Sequence, residues 1–342
     1  ISAFTCSAVT YSVSLTGAKV VYVDINKDLT MNSMALLSAI TPKTKAIIVQ
    51  NTFGMLGVDP SLFSEIRKYG ILIVEDCSLS IGSHTDLGVH GSFGDVSVWS
   101  LEASKSITLG WGGVLTVNDI NHLEVIRDHY STLKRVPLWH DILRVLQLWI
   151  SVFFVAYPPP FGFLIWYFLF GARLFRRSVD SECRYFRTHS RMGLLTSHLF
   201  TSFEKHLPGL FSISHSHYLN LSSKAIELGL NCIVNSNPSD QIVSPRLSLI
   251  IDEPYLKSAL RAASTYSIEV GFWFTEAPPT YNLSSCYISS CSTAKRISKS
   301  ILNVSCHWTL TADEISNLHQ WMMCIASIIP ANDLLLKQYS DY

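Results

Sequence analysis

From Ile1 to Asp119 the apolar residues fall into short β-branched runs separated by stretches of helical spacing. Gly17 to Ile25 (GAKVVYVDI) predicts a strand ending near Asp24, and Met31 to Ile40 a helix. Lys45 to Gly54 predicts a second strand and its loop. Pro60 to Tyr69 carries helical spacing and is followed by Gly70, a stop signal. Ile71 to Asp76 (ILIVED) is apolar enough for a strand buried on both faces, and Val96 to Ser100 and Gly112 to Asp119 predict two more. Strands alternating with helices predict an α/β fold with a mainly parallel sheet flanked by helices.

The texture changes at Leu143. Residues Val145 to Ala172 contain no charged side chain, with Arg144 before them and Arg173, Arg176 and Arg177 after. The run is long enough to cross a bilayer, but Pro158-Pro159-Pro160 argues against one straight helix. Each half is then roughly 12–13 residues, suited to a re-entrant or interfacial hairpin held at a headgroup layer by its flanking cations. The alternative is a helical pair buried against the core or in a dimer interface. Beyond the insert, Arg191 to Leu207 predicts a helix stopped by Pro208-Gly209. Arg246 to Asp252 predicts a strand, Pro254 to Tyr266 a helix, and Thr311 to Ile329 a closing helix with a capping stretch at Thr311–Glu314. The expected organisation is a large domain over 1–142, an apolar insert over 143–177, a connecting helix over 178–210 and a smaller α+β domain over 211–342.

Composition narrows this picture. The chain has 342 residues, with 26 Lys+Arg against 26 Asp+Glu, so nothing in its charge supports a nucleic-acid partner. Its 8 cysteines show no CxxC spacing, which favours reduced thiols over a metal or disulfide framework. Asn-x-Ser sequons occur at Asn220, Asn282 and Asn303 in a serine-rich chain and read as chance. The sequence opens at Ile1, already inside a structured pattern, as a fragment would.

The candidate chemistry lies at the ends of two predicted strands. The first delivers Asp76, the second Ser100, and Lys105 follows five residues later. Ligands of open α/β sheets bind at that C-terminal edge. An acid, a hydroxyl and a lysine there suit pyridoxal phosphate, through its ring nitrogen, phosphate and aldehyde respectively. Taken alone, Asp76 reads as a helix N-cap, Ser100 as a turn residue and Lys105 as a surface lysine.

Taken together, GAKVVYVDI, ITPKTKAIIVQNTFG, VEDCSLSIGS, GSFGD, WSLEASK and GWGG stand in the order seen in the DegT/DnrJ/EryC1/StrS sugar aminotransferases, and the chain resembles that family. The resemblance runs to about Asp119, resumes weakly from Arg191, and omits the insert. It implies a fold-type I aminotransferase architecture with a smaller C-terminal domain and pyridoxal 5′-phosphate as cofactor. Lys105 is the implied catalytic lysine, with Asp76, Ser100 and His189 as further cofactor contacts. His189 stands where an asparagine normally reaches the neighbouring subunit's phosphate, and it reads equally as a surface residue. The implied reaction moves an amino group from an amino acid such as glutamate to a keto-sugar, nucleotide-linked or lipid-linked, for cell-surface glycan synthesis. The implied setting is a cytoplasmic homodimer, peripheral to the inner face of the membrane through 145–172.

The chain also departs from the family. Cys6 follows Thr5 where an aromatic ring often covers the cofactor, Leu79 replaces a polar residue, Glu102 replaces a histidine or tyrosine, and Trp111 replaces the glutamate of a Gly-Glu-Gly-Gly turn. The family's phosphate-cradling Gly-Thr turn would precede Ile1. These departures motivate a second reading, an inactive homologue serving as a membrane-associated scaffold, against which the pairing of Asp76 with Lys105 argues. A dehydratase is disfavoured because the relatives that dehydrate carry histidine at the lysine position.

Overall fold

The computed structural model describes residues 1–155, 190–235, 237, 239–279, 286–288 and 290–330. The predicted alternation forms a sheet from β2 (Ala46–Gln50), β3 (Leu72–Asp76), β4 (Val96–Ser100) and β5 (Gly113–Val117), in that order. β2, β3 and β4 run parallel, and β5 closes the edge antiparallel to β4. Helices α2 (Ser33–Ala39) and α3 (Ser61–Arg67) supply Leu36, Phe63 and Ile66 to a core with Ile47, Val49 and Ile73 of the sheet. The fold is therefore α/β with a mainly parallel sheet, as the alternation implied.

The first expected strand is shorter than its pattern. β1 spans only Val20–Tyr22 and pairs in parallel with β9 (Cys286–Ile288) from the far half of the chain. Asp24, just past β1, accepts the Thr293 and Ala294 N–H groups at 3.0 and 2.9 Å, capping helix α9 (Ser292–Ser300). An apolar cluster of Phe4, Tyr22, Phe274, Ala294 and Ile301 seals the two halves at the same place.

The far half is an antiparallel sheet in the order β6 (Cys232–Ile233), β7 (Arg246–Ile250), β10 (Ile301–Ser305), β8 (Val270–Gly271). Helices α7 (Leu207–Glu227), α8 (Glu253–Thr265) and α10 (Ala312–Ile328) bury Leu221, Ala259 and Trp321 against Leu247 and Leu302 of that sheet. Thr311 and Glu314 form the expected capping box at α10. Pro208-Gly209, by contrast, does not end a helix. α6 (Leu194–Phe203) passes through one 3-10 turn, and α7 then starts with Pro208 in its first turn, where a missing N–H costs nothing.

Between α4 (Leu123–Thr132) and α6 runs α5 (Leu138–Val155), which starts before the expected insert. Asp141 of α5 is buried and accepts the Leu195 and Thr196 N–H groups at 2.7 and 3.3 Å, so it caps α6 from a distance. The second half of the apolar run, with its three prolines, lies outside the described residues. Among the described residues no helix is long and apolar enough to cross a membrane.

Candidate active site

The parallel strands bring the sequence candidates to one edge. Gln50 lies opposite Asp76, and Asp76 lies opposite Val98, two residues short of Ser100. Asp76 is buried, and its Oδ1 accepts the Ser78 N–H at 3.0 Å. No helix starts at Asp76, so the N-cap reading of it is not met, and its carboxylate instead makes an Asx-type turn through Oδ1. Gln50 is tied by Thr5 and by its own donation to Phe4 O and Thr52 Oγ1 at 3.2 and 2.7 Å, which fixes the wall beside Asp76.

Residues 101–112 form a loop that closes on itself above this edge. Leu101 N–H donates to Gly112 O, and Leu109 N–H to Leu101 O, both at 3.0 Å. Glu102 N–H donates to Ser100 Oγ at 3.4 Å, and Lys105 N–H to Glu102 O at 3.1 Å, so a tight turn carries the lysine. The glycine turn at the loop's foot needs its glycines, because Gly110 and Gly112 have φ of +81° and +108°.

The far half of the chain grips the lysine from above. Trp273 lies with its ring centroid 5.0 Å from Lys105 Nζ, and Trp308 Nε1 donates to Ser106 O at 3.1 Å. Trp273 also has Arg246 over its ring at 5.6 Å and Phe53 stacked at 6.4 Å. Its N–H donates to Asn303 Oδ1 at 2.9 Å, and buried Asn303 in turn donates to Ser248 Oγ at 2.8 Å. Among the described residues Lys105 forms no ion pair with a carboxylate, Asp76 included. Cys77, next to Asp76, is not a competing nucleophile. Burial, and then the charges of Glu75 and Asp76, push its thiol far up from its ordinary range.

His189 lies outside the described residues. Cys6 caps helix α1 (Ser7–Leu15) through Sγ, and Leu79 is buried in the apolar cluster with Phe4 and Phe53. Three site residues had no signal strong enough to single them out in the sequence. Trp273 arrives from a remote loop, and among the described residues the buried Ser106 hydroxyl has no hydrogen-bond partner and that of Ser80 has only the Cys77 thiol. Beneath the edge, Glu75 faces away from Asp76 and anchors the 91–94 turn. Its Oε1 accepts Phe93 and Gly94 N–H at 2.7 and 2.6 Å, and its Oε2 accepts Gly91 N–H and Asn51 Nδ2 at 3.0 and 3.1 Å. Asp95 extends that scaffold by accepting Arg67 Nε at 2.8 Å and Ile73 N–H at 2.7 Å.

A buried carboxylate, a lysine that among the described residues has no ion pair, and serine hydroxyls at the strand edge are a donor set that fits pyridoxal phosphate. The overall architecture is the one found in enzymes of that cofactor class. The aminotransferase TlmJ from Streptoalloteichus hindustanus is similar with a TM-score of 0.71 at 16% identity, over 95% of this chain and 78% of that one. GDP-4-keto-6-deoxy-D-mannose-3-dehydratase from Escherichia coli, solved with bound hydrated PLP, is similar with a TM-score of 0.66 at 20% identity, over 94% and 78%. Residues 1–142 match the model of the DegT/DnrJ/EryC1/StrS aminotransferase family. The chain is also similar to UDP-N-acetyl-3-dehydro-alpha-D-glucosamine 3-aminotransferase of Acidithiobacillus ferrooxidans, 32% identical over 145 residues. The match covers 41% of this chain and 38% of that protein, less than half its length.

Proposed function

We propose that the protein is a pyridoxal-phosphate-dependent aminotransferase that moves an amino group from an amino acid, glutamate in the first instance, to a keto-sugar destined for glycan synthesis. The observation that carries this reading is the pairing of buried Asp76 at the parallel edge with Lys105 on the closed loop beyond it. Similarity to a nucleotide-sugar aminotransferase supports the substrate class.

When bound, the cofactor supplies an electron sink for the carbon that loses or gains the amino group. The Asp76 carboxylate would hold the proton on the ring nitrogen. Lys105 Nζ would anchor the aldehyde and, once free, carry the proton to and from the reacting carbon. The Ser100 and Ser106 hydroxyls would donate to the phosphate, and His189 is the further phosphate contact the family pattern suggests. Trp273 and the closed 101–112 loop would keep water from the lysine.

The same proposal makes the enzyme a homodimer, peripheral to the inner face of a membrane through residues 145–172. The decisive experiment is to add pyridoxal phosphate to the purified protein and record its absorbance, then add glutamate. A visible band that shifts with glutamate and is missing in Lys105→Ala supports the reading. A protein that takes up no cofactor overturns it in favour of a non-catalytic scaffold.

A further inference from the structure

Helix α5 is two-faced. Its inner face carries Asp141, Val145 and Leu148. Asp141 caps α6, and Leu148 Cβ packs 3.6 Å from where a side chain on Gly110 would start. Its outer face presents Leu138, Trp139, Ile142, Leu143, Leu146 and Trp149, each between 47% and 67% exposed. The spacing draws one continuous stripe, about 15 Å long from the first tryptophan to the last at 1.5 Å per residue. Soluble surfaces rarely expose so continuous an apolar patch.

The charge around the stripe has one sign. Lys134 and Arg135 are exposed at its base, while Arg144 is exposed on the side of α5 turned away from the stripe. The only acid between residues 133 and 150 is Asp141, which is buried and already committed. A second copy packed on this face would bring these cations no free acid from its own stripe. An anionic lipid surface instead neutralises them, takes the leucines and isoleucine into its acyl boundary, and leaves the two tryptophans at headgroup depth.

We propose that the outer face of α5 is a membrane-docking surface for anionic phospholipid, and that it holds the glycine turn beside Lys105 against the bilayer. This deepens the peripheral-membrane part of the reading above and rests on it. It extends the contact back to Leu138, and it fixes which way the catalytic edge faces.

The test floats the full chain on phosphatidylcholine vesicles with and without phosphatidylglycerol. Leu143→Glu/Leu146→Glu and Lys134→Glu/Arg135→Glu are compared with the unaltered protein, and circular dichroism checks folding. The expected result is flotation that needs phosphatidylglycerol, weakens with salt, and falls roughly tenfold or more in either variant. Flotation of both variants as strong as that of the unaltered protein overturns the assignment of α5 while leaving membrane attachment intact. An unaltered protein that never floats overturns both. Loss of a dimer on gel filtration in the leucine variant, without flotation, assigns the face to a second copy instead.

Discussion

Replacing Glu75 by glutamine tests how the candidate site is held. The side chain is buried, and its two oxygens accept four N–H donors, from Phe93, Gly94, Gly91 and Asn51. Glutamine is nearly isosteric but keeps one oxygen. If that oxygen retains Phe93 and Gly94, the new NH₂ group confronts Gly91 N–H and Asn51 Nδ2 with no acceptor. Asn51 cannot turn its amide over at no cost, because its Oδ1 already accepts Gly57 N–H at 2.8 Å. Gly91 N–H therefore loses its partner and Asn51 Nδ2 keeps only the weak acceptor Cys77 Sγ at 3.4 Å, at about 1–3 kcal/mol each, or about 2–6 kcal/mol in all. At roughly 2 cal/mol/K of unfolding entropy per residue, that corresponds to a Tm lower by roughly 3–8 °C. Differential scanning calorimetry measures it, with exposed Glu65→Gln as the control that should stay within about 0.5 kcal/mol. A Glu75→Gln protein melting with the control would refute the view that this carboxylate organises the turn feeding β4.

His90 is fully buried, with no partner for either ring nitrogen among the described residues, and burial, then nearby His84, lowers its pKa from 6.5 to about 4. Its native pKa lies below its unfolded one, so the unfolded chain binds the extra proton as pH falls from 6.5 towards 4, and stability drops by about 3 kcal/mol across that window. His90→Leu should flatten this acid limb in urea titrations, and an unchanged slope would rule it out. Asp141→Ala should cost about 2 kcal/mol by uncapping α6, with Asp141→Asn less affected, as read from urea midpoints. Trp273→Ala should weaken cofactor uptake roughly 2- to 30-fold, the worth of a cation–π contact, and Trp273→Phe much less. Equal uptake in both would remove Trp273 from the site.

The features legible in the sequence were those with a local signature. The ILIVED and VSVWS runs announced buried parallel strands, and the edge chemistry of Asp76, Ser100 and Lys105 came from where those strands stop. The illegible features depend on partners far along the chain. Strand alternation puts Glu75 and Asp76 on opposite faces. Only Asp76 drew notice, because the ligands of Glu75 are backbone N–H groups that leave no mark on the sequence. Nothing local marks Trp273 and Trp308, which loops of the antiparallel sheet lay on Lys105 and Ser106. Pro208 can stop one helix or start the next, and here the apolar face of α7, packed on the antiparallel sheet, decided for a start.

A single physical reason joins several of these misses. Asp24, Glu75, Asp95 and Asp141 each accept backbone N–H groups from a segment distant in the chain, which the sequence around them does not announce. A carboxylate can leave water when several N–H donors converge on it, and it then fastens two stretches that apolar packing alone would let slide. Asp141 shows the consequence for reading the apolar insert. Counting only uncharged residues starts that segment at Val145, whereas the helix starts at Leu138, with its one acid turned inward to cap α6. The apolar face therefore begins seven residues earlier than the uncharged run, and it begins on a helix packed against the glycine turn beside Lys105.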